Sequence, residues 1–431
     1  MKSRIILSFL GLVLLSLCCD IHAQTGTNSP YSQYGLGLLS EQSQGFNHGM
    51  GGLALGLRKG TVVNYLNPAS YSAVDSMTMI FDVGLYGQVT NFNENGRKLN
   101  ARNADFEYAV GSFRIMPHLG LGFGVIPFSN VEYSYSNTTS VGSSSIVSTE
   151  SHKGTGGFHQ AFFGLGWQPI SCLSIGANVS YFWGNYDRSI SIASSDGYVN
   201  TIVKSYISHV NNYKVDFGVQ WQQILSSAST LVIGATYGMG HNLKADVEAR
   251  TTSTNSQTAV VEEQSLVLSD ALSVPHTFGL GAAYSYGRIL TVGADYTLQK
   301  WGSLDFPEMD DRTGAFVKKR DLLADRHRLT LGGEYVPNIM STRFFDRIHY
   351  RLGASYTTPY VKVNGQDGPK EVSISAGFGI PIVNHYNNRS MLNVSGQWVR
   401  VTAPGLITEN TFRLNVGITF NERWFMKWKV E

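Results

Sequence analysis

Strict alternation of apolar and polar residues runs through most of the chain after about residue 75. In the stretch 412–420, Phe, Leu, Val, Ile and Phe alternate with Arg, Asn, Gly and Thr, and stretches 213–221 and 290–299 repeat the pattern. Successive side chains of a β-strand point to opposite faces, so each stretch has one apolar and one polar face. The pattern predicts an all-β protein, but it fits a soluble sandwich as well as a membrane barrel.

The number, length and spacing of these stretches favour the barrel. They predict fourteen strands, near 76–92, 104–116, 119–141, 146–168, 173–194, 199–222, 230–251, 258–286, 289–302, 320–336, 347–358, 370–381, 390–401 and 408–421. Many reach the roughly 9–11 residues with which a tilted strand crosses a bilayer. Connections after even-numbered strands are mostly short (117–118, 169–172, 287–288), whereas longer ones follow odd-numbered strands (93–103, 303–319, 359–369). This layout is typical of a bacterial outer-membrane barrel with both chain ends in the periplasm.

Aromatic and small residues support this interpretation. Aromatic residues lie near strand ends on the apolar face, as in membrane-interface belts, although such rings could also fill a soluble core. They are Tyr181, Trp183, Trp221, Tyr237, Tyr284, Tyr286, Trp398 and Phe420. Several polar faces are built from small residues, which would leave room inside the barrel. They include Gly120, Gly122, Gly124, Ser373, Ser375, Gly377 and Gly379.

The N-terminus has the layout of a secretory signal peptide. Lys2 and Arg4 precede an apolar run over 5–17, and Ala23 supplies the small residue before a cleavage site, so 1–23 is predicted to be removed. The run is shorter than the about 20 residues of a membrane helix. A lipoprotein signal ending at Cys18 or Cys19 is the alternative, but the residues before them are poor matches to a lipidation site.

Residues 24–75 do not alternate and are rich in Gly, Ser, Asn and Gln, with apolar anchors at Leu53, Leu55, Leu57, Tyr65 and Leu66. A fourteen-stranded barrel leaves internal space, and large barrels are often plugged. We therefore predict a hatch over 24–75, a barrel over 76–421 and a short tail over 422–431. A disordered periplasmic tail is the alternative for 24–75.

Composition and motifs give no sign of catalysis. Charged residues are only 15% of the chain and the net charge is +2, so nothing indicates nucleic acid as a partner. Cys172 is the one cysteine after the signal, the His residues lack zinc-ligand spacing, and neither a nucleophile elbow nor a P-loop occurs. We predict no catalytic residues, no metal and no cofactor. Five charged residues on polar faces are predicted to pair in the lumen and could hold the hatch: Asp216, Arg328, Glu334, Arg351 and Arg413.

Three short motifs in order, Gly49–Gly52, Asn67–Ser70 and Leu121–Ser129, resemble the FadL, OmpP1 and TodX family of outer-membrane transporters for hydrophobic compounds. The resemblance covers nearly the whole mature chain and is strongest to the Bacteroidetes branch. Two departures are Ser70, where many relatives have Gly, and the C-terminal stretch 424–431, which lacks a terminal aromatic residue.

The resemblance implies a mechanism. A hydrophobic ligand such as a long-chain fatty acid enters past the loops, binds behind the hatch and leaves sideways into membrane lipid near strand three, through a monomeric barrel. The resemblance assigns the hatch role to Asn67, Pro68, Ala69 and Ser70. It places the lateral opening at Pro127, Phe128 and Ser129. Pro127 has its own physical argument, because proline cannot donate a ladder hydrogen bond and marks a bulge or broken pairing within a strand.

Two other functions remain open. The resemblance implies a role as a protein partner in type IX secretion as one alternative, because some family members in Bacteroidetes act in this way. The other alternative is a hydrolase, since some outer-membrane barrels are hydrolases, although no nucleophile–base pair is evident here. An apolar cavity behind the hatch, joined to a gap near Pro127, would favour transport over the partner role.

Overall fold

The computed structural model describes residues 26–94, 96–140, 145–310, 315–382 and 390–423. The predicted signal peptide 1–23 and most of the tail 422–431 lie outside these ranges. Fourteen strands form the wall: β1 Thr78–Glu94, β2 Arg97–Met116, β3 Leu119–Ser140, β4 Val147–Ile170, β5 Leu173–Ser194, β6 Thr201–Ile224, β7 Ser229–Gly238, β8 Thr277–Tyr286, β9 Leu290–Gln299, β10 Arg326–Tyr335, β11 His349–Thr357, β12 Lys370–Ile382, β13 Ser390–Thr402 and β14 Thr408–Arg423.

The wall closes on itself as an antiparallel barrel. Each strand pairs with the next, and β14 returns to β1 with Phe420 opposite Phe81. Burial alternates as the sequence predicts: on β1, Phe81 and Val83 are exposed on the outside, whereas Ile80 and Asp82 are buried inside. An outward apolar band with a polar interior is what a membrane-spanning barrel presents. The fourteen-stranded fold is confirmed.

Two predicted strands are interrupted. The stretches 230–251 and 258–286 were expected to be continuous, but β7 ends at Gly238 and β8 begins at Thr277. Their upper parts form a separate hairpin, Val247–Thr254 with Val261–Leu268, which extends β6 above the break. The intervening residues turn inward and bury Leu243, Leu272 and Val274. Pro275 lacks the amide that a continuous ladder would need.

Shorter elements lie in the connections and before the wall. Strand pairs join His241–Asn242 to Ser273–Val274, Phe306–Met309 to Phe316–Lys319, and Lys362–Val363 to Gln366–Asp367. The 3-10 helices are Pro30–Gln33, His48–Met50, Pro68–Ala73, Trp301–Ser303 and Phe345–Arg347, and a two-residue strand lies at Leu38–Leu39. None of the helices in the described ranges has the length and apolar character needed to cross a bilayer.

Residues 26–77, here called the N-terminal segment, pack against the wall from within. The helix Pro68–Ala73 contacts β2 to β6, and the helix His48–Met50 contacts β10 to β13 on the other side. One short segment can reach both arcs only from inside the barrel. The predicted domain boundaries and the hatch role of this segment stay predictions.

Candidate functional site

A row of four glycines supports one half of the N-terminal segment. Gly120, Gly166, Gly176 and Gly218 are directly opposite one another across β3, β4, β5 and β6. A Cβ atom at Gly176 would lie 2.4 Å from the carbonyl carbon of Pro68. Only glycine lets two backbones approach this closely. Gly120, which was expected from the sequence to face inward, and three glycines that were not predicted therefore accommodate the N-terminal segment itself.

The predicted hatch residues form one turn on this glycine row. Asn67 is fully buried; its Nδ2 donates to the carbonyl of Leu55 at 2.9 Å, and its Oδ1 accepts from the amide of Ala69 at 3.2 Å. Asn67 thereby caps the helix that Pro68 starts, in the positions these residue types favour. The Ser70 hydroxyl donates to the carbonyl of Asn64 at 3.1 Å. The structure brings all four predicted residues together.

A second anchor was not predicted from the sequence. One carboxylate oxygen of Asp295, on β9, accepts from the amides of Ala54 at 2.6 Å and Leu55 at 2.9 Å. Three strands further along the wall, on β12, the Ser375 hydroxyl accepts from the amide of Gly51 at 2.9 Å. Asp295 occupies a polar position of an alternating strand, so the sequence indicates that its side chain faces inward. No neighbouring residue in the sequence identifies the amides that it binds.

Charged residues of the N-terminal segment pair with inward charges of the wall. Glu41 lies 2.7 Å from Arg328 and 3.9 Å from Arg413, and it accepts from Gln397 at 2.9 Å. Burial raises the pKa of Glu41, but the charges of Arg328, His48 and Arg413, with the Gln397 hydrogen bond, outweigh it and lower this pKa to about 2.

The other inward charges also have partners. Glu334 lies 2.8 Å from Arg351 on the neighbouring strand and also contacts Lys59 of the N-terminal segment. Asp216 pairs with Lys214 on its own strand. The predicted lumenal pairing is confirmed for all five wall residues, and Glu41 and Lys59 tie three of them to the N-terminal segment.

The wall is open between β2 and β3. These strands pair only from Ala109 opposite Val125 to Met116 opposite Leu119. Within the described residues, no pairing joins Arg97–Tyr108 to Ile126–Ser140, although β2 stays paired with β1 and β3 with β4. The ladder therefore ends at Val125, directly before Ile126 and Pro127. We call the unpaired region between Arg97–Tyr108 and Ile126–Ser140 the wall gap.

The three predicted lateral-opening residues lie at the lower end of the wall gap. Pro127 is opposite His159 and Ser129 is opposite Phe158, so Phe128 is an extra, bulged residue. Phe128 is buried against Phe182, with ring centroids 5.1 Å apart. A mid-strand bulge at proline matches the physical argument made from the sequence.

The N-terminal segment occupies the free edge of β3 that this break leaves. Leu38 and Leu39 pair antiparallel with Asn130 and Ser129. The amide of Ser40 donates to the carbonyl of Phe128 at 2.9 Å, and the Ser129 hydroxyl donates to the carbonyl of Leu36 at 2.7 Å. This short strand takes positions that β2 would fill in a regular ladder.

Two cavities of about 130 Å³ each lie beside residues 39–42, which line both of them. One is lined by Leu55, Tyr65, Phe128, Lys214 and Asp216, and the other reaches Glu107 on β2 and Ile126 and Pro127 on β3. Leu39, Glu41, Arg326 and Arg328 line both. The second cavity thus touches both edges of the wall gap, and the lining of the pair is mixed rather than apolar.

A large apolar cluster fills the interior on the side of the long loops. Inward residues of β3 to β6 meet the turned-in parts beside β7 and β8 and residues from the loops around Trp301 and Tyr360. Its bulkiest members are Phe128, Tyr133, Phe158, Phe182, Tyr186, Trp301 and Tyr360. Two of its members, Phe128 and Val274, also line one of the cavities.

The closed fourteen-stranded antiparallel barrel is a fold shared with solved channels for hydrophobic compounds. Solved structures with this fold include the CymD monoaromatic hydrocarbon channel, at 14% identity and a TM-score of 0.57, covering 91% of this chain and 99% of that one. A Pseudomonas aeruginosa FadL homologue has 12% identity and a TM-score of 0.61, with 89% and 98% covered. The Ralstonia pickettii toluene transporter TbuX has 14% identity and a TM-score of 0.58, with 88% and 97% covered.

Sequence comparison gives the family. The family model described as BamG matches residues 2–431, so the chain belongs to the BamG family. No curated protein matches the chain in sequence. The likeness to the channels is therefore one of fold, and the expected Bacteroidetes and OmpP1 assignment stays a prediction.

Proposed function

We propose that this chain is an outer-membrane protein through which a small hydrophobic compound passes passively and leaves sideways through the wall gap. The observation that carries the proposal is the cavity that reaches Glu107 on one edge of the gap and Pro127 on the other. A ligand in this cavity would have lipid as its nearest exit. Two of the fold neighbours are a monoaromatic hydrocarbon channel and a toluene transporter, which supports the same class of compound.

The size of the cavities limits the compound. An engineered protein cavity of about 150 Å³ holds benzene. Each cavity here is about 130 Å³, and Glu41 and Arg328 lie beside the apolar Leu39. This lining suits a single-ring compound with one polar group better than a hydrocarbon. A long-chain fatty acid would enter only after the N-terminal segment had moved.

The hatch role completes the proposal. Asn67, Pro68, Ala69 and Ser70 hold the lower half of the segment on the glycine row, and Leu38–Leu39 hold its upper part on the gap edge. Release of the upper contacts alone would enlarge the cavities while the Asn67 turn stayed fixed. We propose a monomeric barrel in contact with outer-membrane lipid as the working unit.

The test is uptake of radiolabelled toluene, p-cresol and oleate by cells that express the wild type or one variant. Pro127→Ala restores an amide donor where the β3 ladder breaks, and it is expected to slow uptake of p-cresol. Pro381→Ala is the matched control, because Pro381 lies in β12, far from the gap. Equal uptake by wild type, Pro127→Ala and cells without the protein would reject transport.

A role as a partner protein in type IX secretion is the second candidate. The observation that favours it is the lining of the small cavities, which is mixed rather than apolar. Cross-linking in intact cells, followed by purification, distinguishes the two. A stoichiometric envelope protein on the barrel, with no uptake of any of the three compounds, would support the partner role.

A further inference from the structure

The outer face of the barrel carries an apolar groove over β9 to β12. Its volume is about 580 Å³, within the range of roughly 300–1,000 Å³ for small-molecule sites. Gly333 leaves an outward position empty between the exposed Leu331 and Tyr335. The outward side chains around it are apolar or aromatic: Leu290, Val292, Leu331, Tyr335, Leu352 and Ile374.

An ordered loop stands at one end of this groove. Residues 336–348 join β10 to β11 at the short-turn end of the barrel, where the other described connections are much shorter. The Asn338 amide donates to the Asp346 carbonyl at 2.8 Å, yet Met340 and Phe345 are 78% and 70% exposed. Tyr350, which lines the groove, donates its hydroxyl to the carbonyl of Phe345 at 3.1 Å. Loop and groove therefore form one continuous surface.

The loop end of the groove is positively charged. Arg343 and Arg347 lie on the loop, and Arg288 lies in the adjacent turn. The loop and this turn are joined by a hydrogen bond of 2.7 Å from the Val336 amide to the Ile289 carbonyl. Among the described residues none of these arginines has an ion pair, and the Arg347 Nε is buried without a hydrogen-bond partner. The one carboxylate of the loop, Asp346, accepts from the Ser341 hydroxyl.

We propose that this surface is a binding site for one phospholipid, with an acyl chain in the groove and the phosphate at Arg343 and Arg347. The chemistry matches part by part: an apolar channel facing the hydrocarbon, aromatic rings at the interface, and basic groups just beyond it. A protein segment fits less well, because the wall here is fully paired and offers no free edge for a backbone placed in hydrocarbon. The proposal is independent of the transport function.

The test is native mass spectrometry of the full chain, purified in detergent and titrated with dioleoyl phosphatidylglycerol or dioleoyl phosphatidylethanolamine. Wild type is expected to retain one lipid. Gly333→Leu fills the groove and is expected to weaken retention at least roughly tenfold, because the leucine side chain takes the space of the acyl chain and removes its packing contacts with the wall. Gly87→Leu is the control: Gly87 faces outward on β1, where a Cβ would meet no atom within 4 Å.

A second variant keeps the test informative if Gly333→Leu folds poorly. The double variant Arg343→Gln, Arg347→Gln leaves the groove intact. It is expected to weaken retention of phosphatidylglycerol by roughly tenfold or more, and that of phosphatidylethanolamine by less. Equal retention by Gly333→Leu and Gly87→Leu would overturn the proposal, as would a wild type that retains no lipid. A protein that co-purifies with wild type and is lost on Gly333→Leu would replace the lipid with a protein occupant.

Discussion

Placing a side chain on the glycine row should release the N-terminal segment without breaking the wall. A Cβ at Gly176 would lie 2.4 Å and 2.5 Å from the carbonyl carbon and oxygen of Pro68, and 2.6 Å from the amide nitrogen of Ala69. All three are backbone atoms, so no side chain can swing aside, and the turn has to shift by about 1 Å. Overpacking of this kind costs about 1–3 kcal/mol. Gly176→Val should therefore populate the displaced segment about 5–150-fold more.

Limited trypsin digestion measures this displacement. Arg58 and Lys59 are the trypsin sites of the N-terminal segment, and Lys59 is held by Glu334 when the segment is in place. When opening is fast, cleavage follows the population of the open form, so its rate at these sites should rise by the same factor in Gly176→Val. Gly87→Val, which points outward, should behave as wild type. An unchanged cleavage rate in a correctly folded Gly176→Val barrel would refute the idea that the glycine row holds the segment.

Three further predictions concern the polar anchors. Asn67→Ala removes the cap of Pro68–Ala73 and the donor to Leu55, so the same digestion should report a loss of about 1–3 kcal/mol. Because the pKa of Glu41 is lowered to about 2, its stabilisation is complete above pH of about 4.5 and is lost as the pH falls toward 2. Acid release of the segment should follow this window in wild type and be weaker in Glu41→Gln, where the Glu334–Lys59 ion pair remains. Glu334→Gln leaves Lys59 and Arg351 without their carboxylate and should cost about 3–5 kcal/mol in detergent unfolding; an unchanged midpoint would contradict this assignment.

The architecture could be predicted from the sequence because it depends on local periodicity. Phe412 to Phe420 alternates without a break and does form a wall strand. Inward charges such as Arg328 and Glu334 could be predicted to pair, since an unpaired charge inside the wall is unfavourable. Gly120 and Gly122 could be predicted to leave room, and they do contact the N-terminal segment.

The partners could not be predicted, because they lie far away along the chain. Glu41 and Arg328 are separated by 287 residues, and Ala54 and Asp295 by 241. Alternation also continues through the breaks in β7 and β8, since the turned-in residues are apolar like the strands around them. In both cases tertiary packing, rather than local preference, decides the structure.

Three irregularities of the wall lie together beside the gap, which is an argument that the gap is a built feature. On β2, Glu107 is bulged between Phe106 and Tyr108, and its carboxylate lies 3.0 Å from Nε2 of His48. On β3 the bulge is Phe128, and on β4 Gly156 has a φ of +125°, which residues with a side chain rarely adopt. Three adjacent strands therefore leave regular geometry where the ladder ends, and the N-terminal segment contacts the two that border the gap. Irregularities that were merely tolerated would be scattered over the wall. An opening that the N-terminal segment closes from within requires them on neighbouring strands.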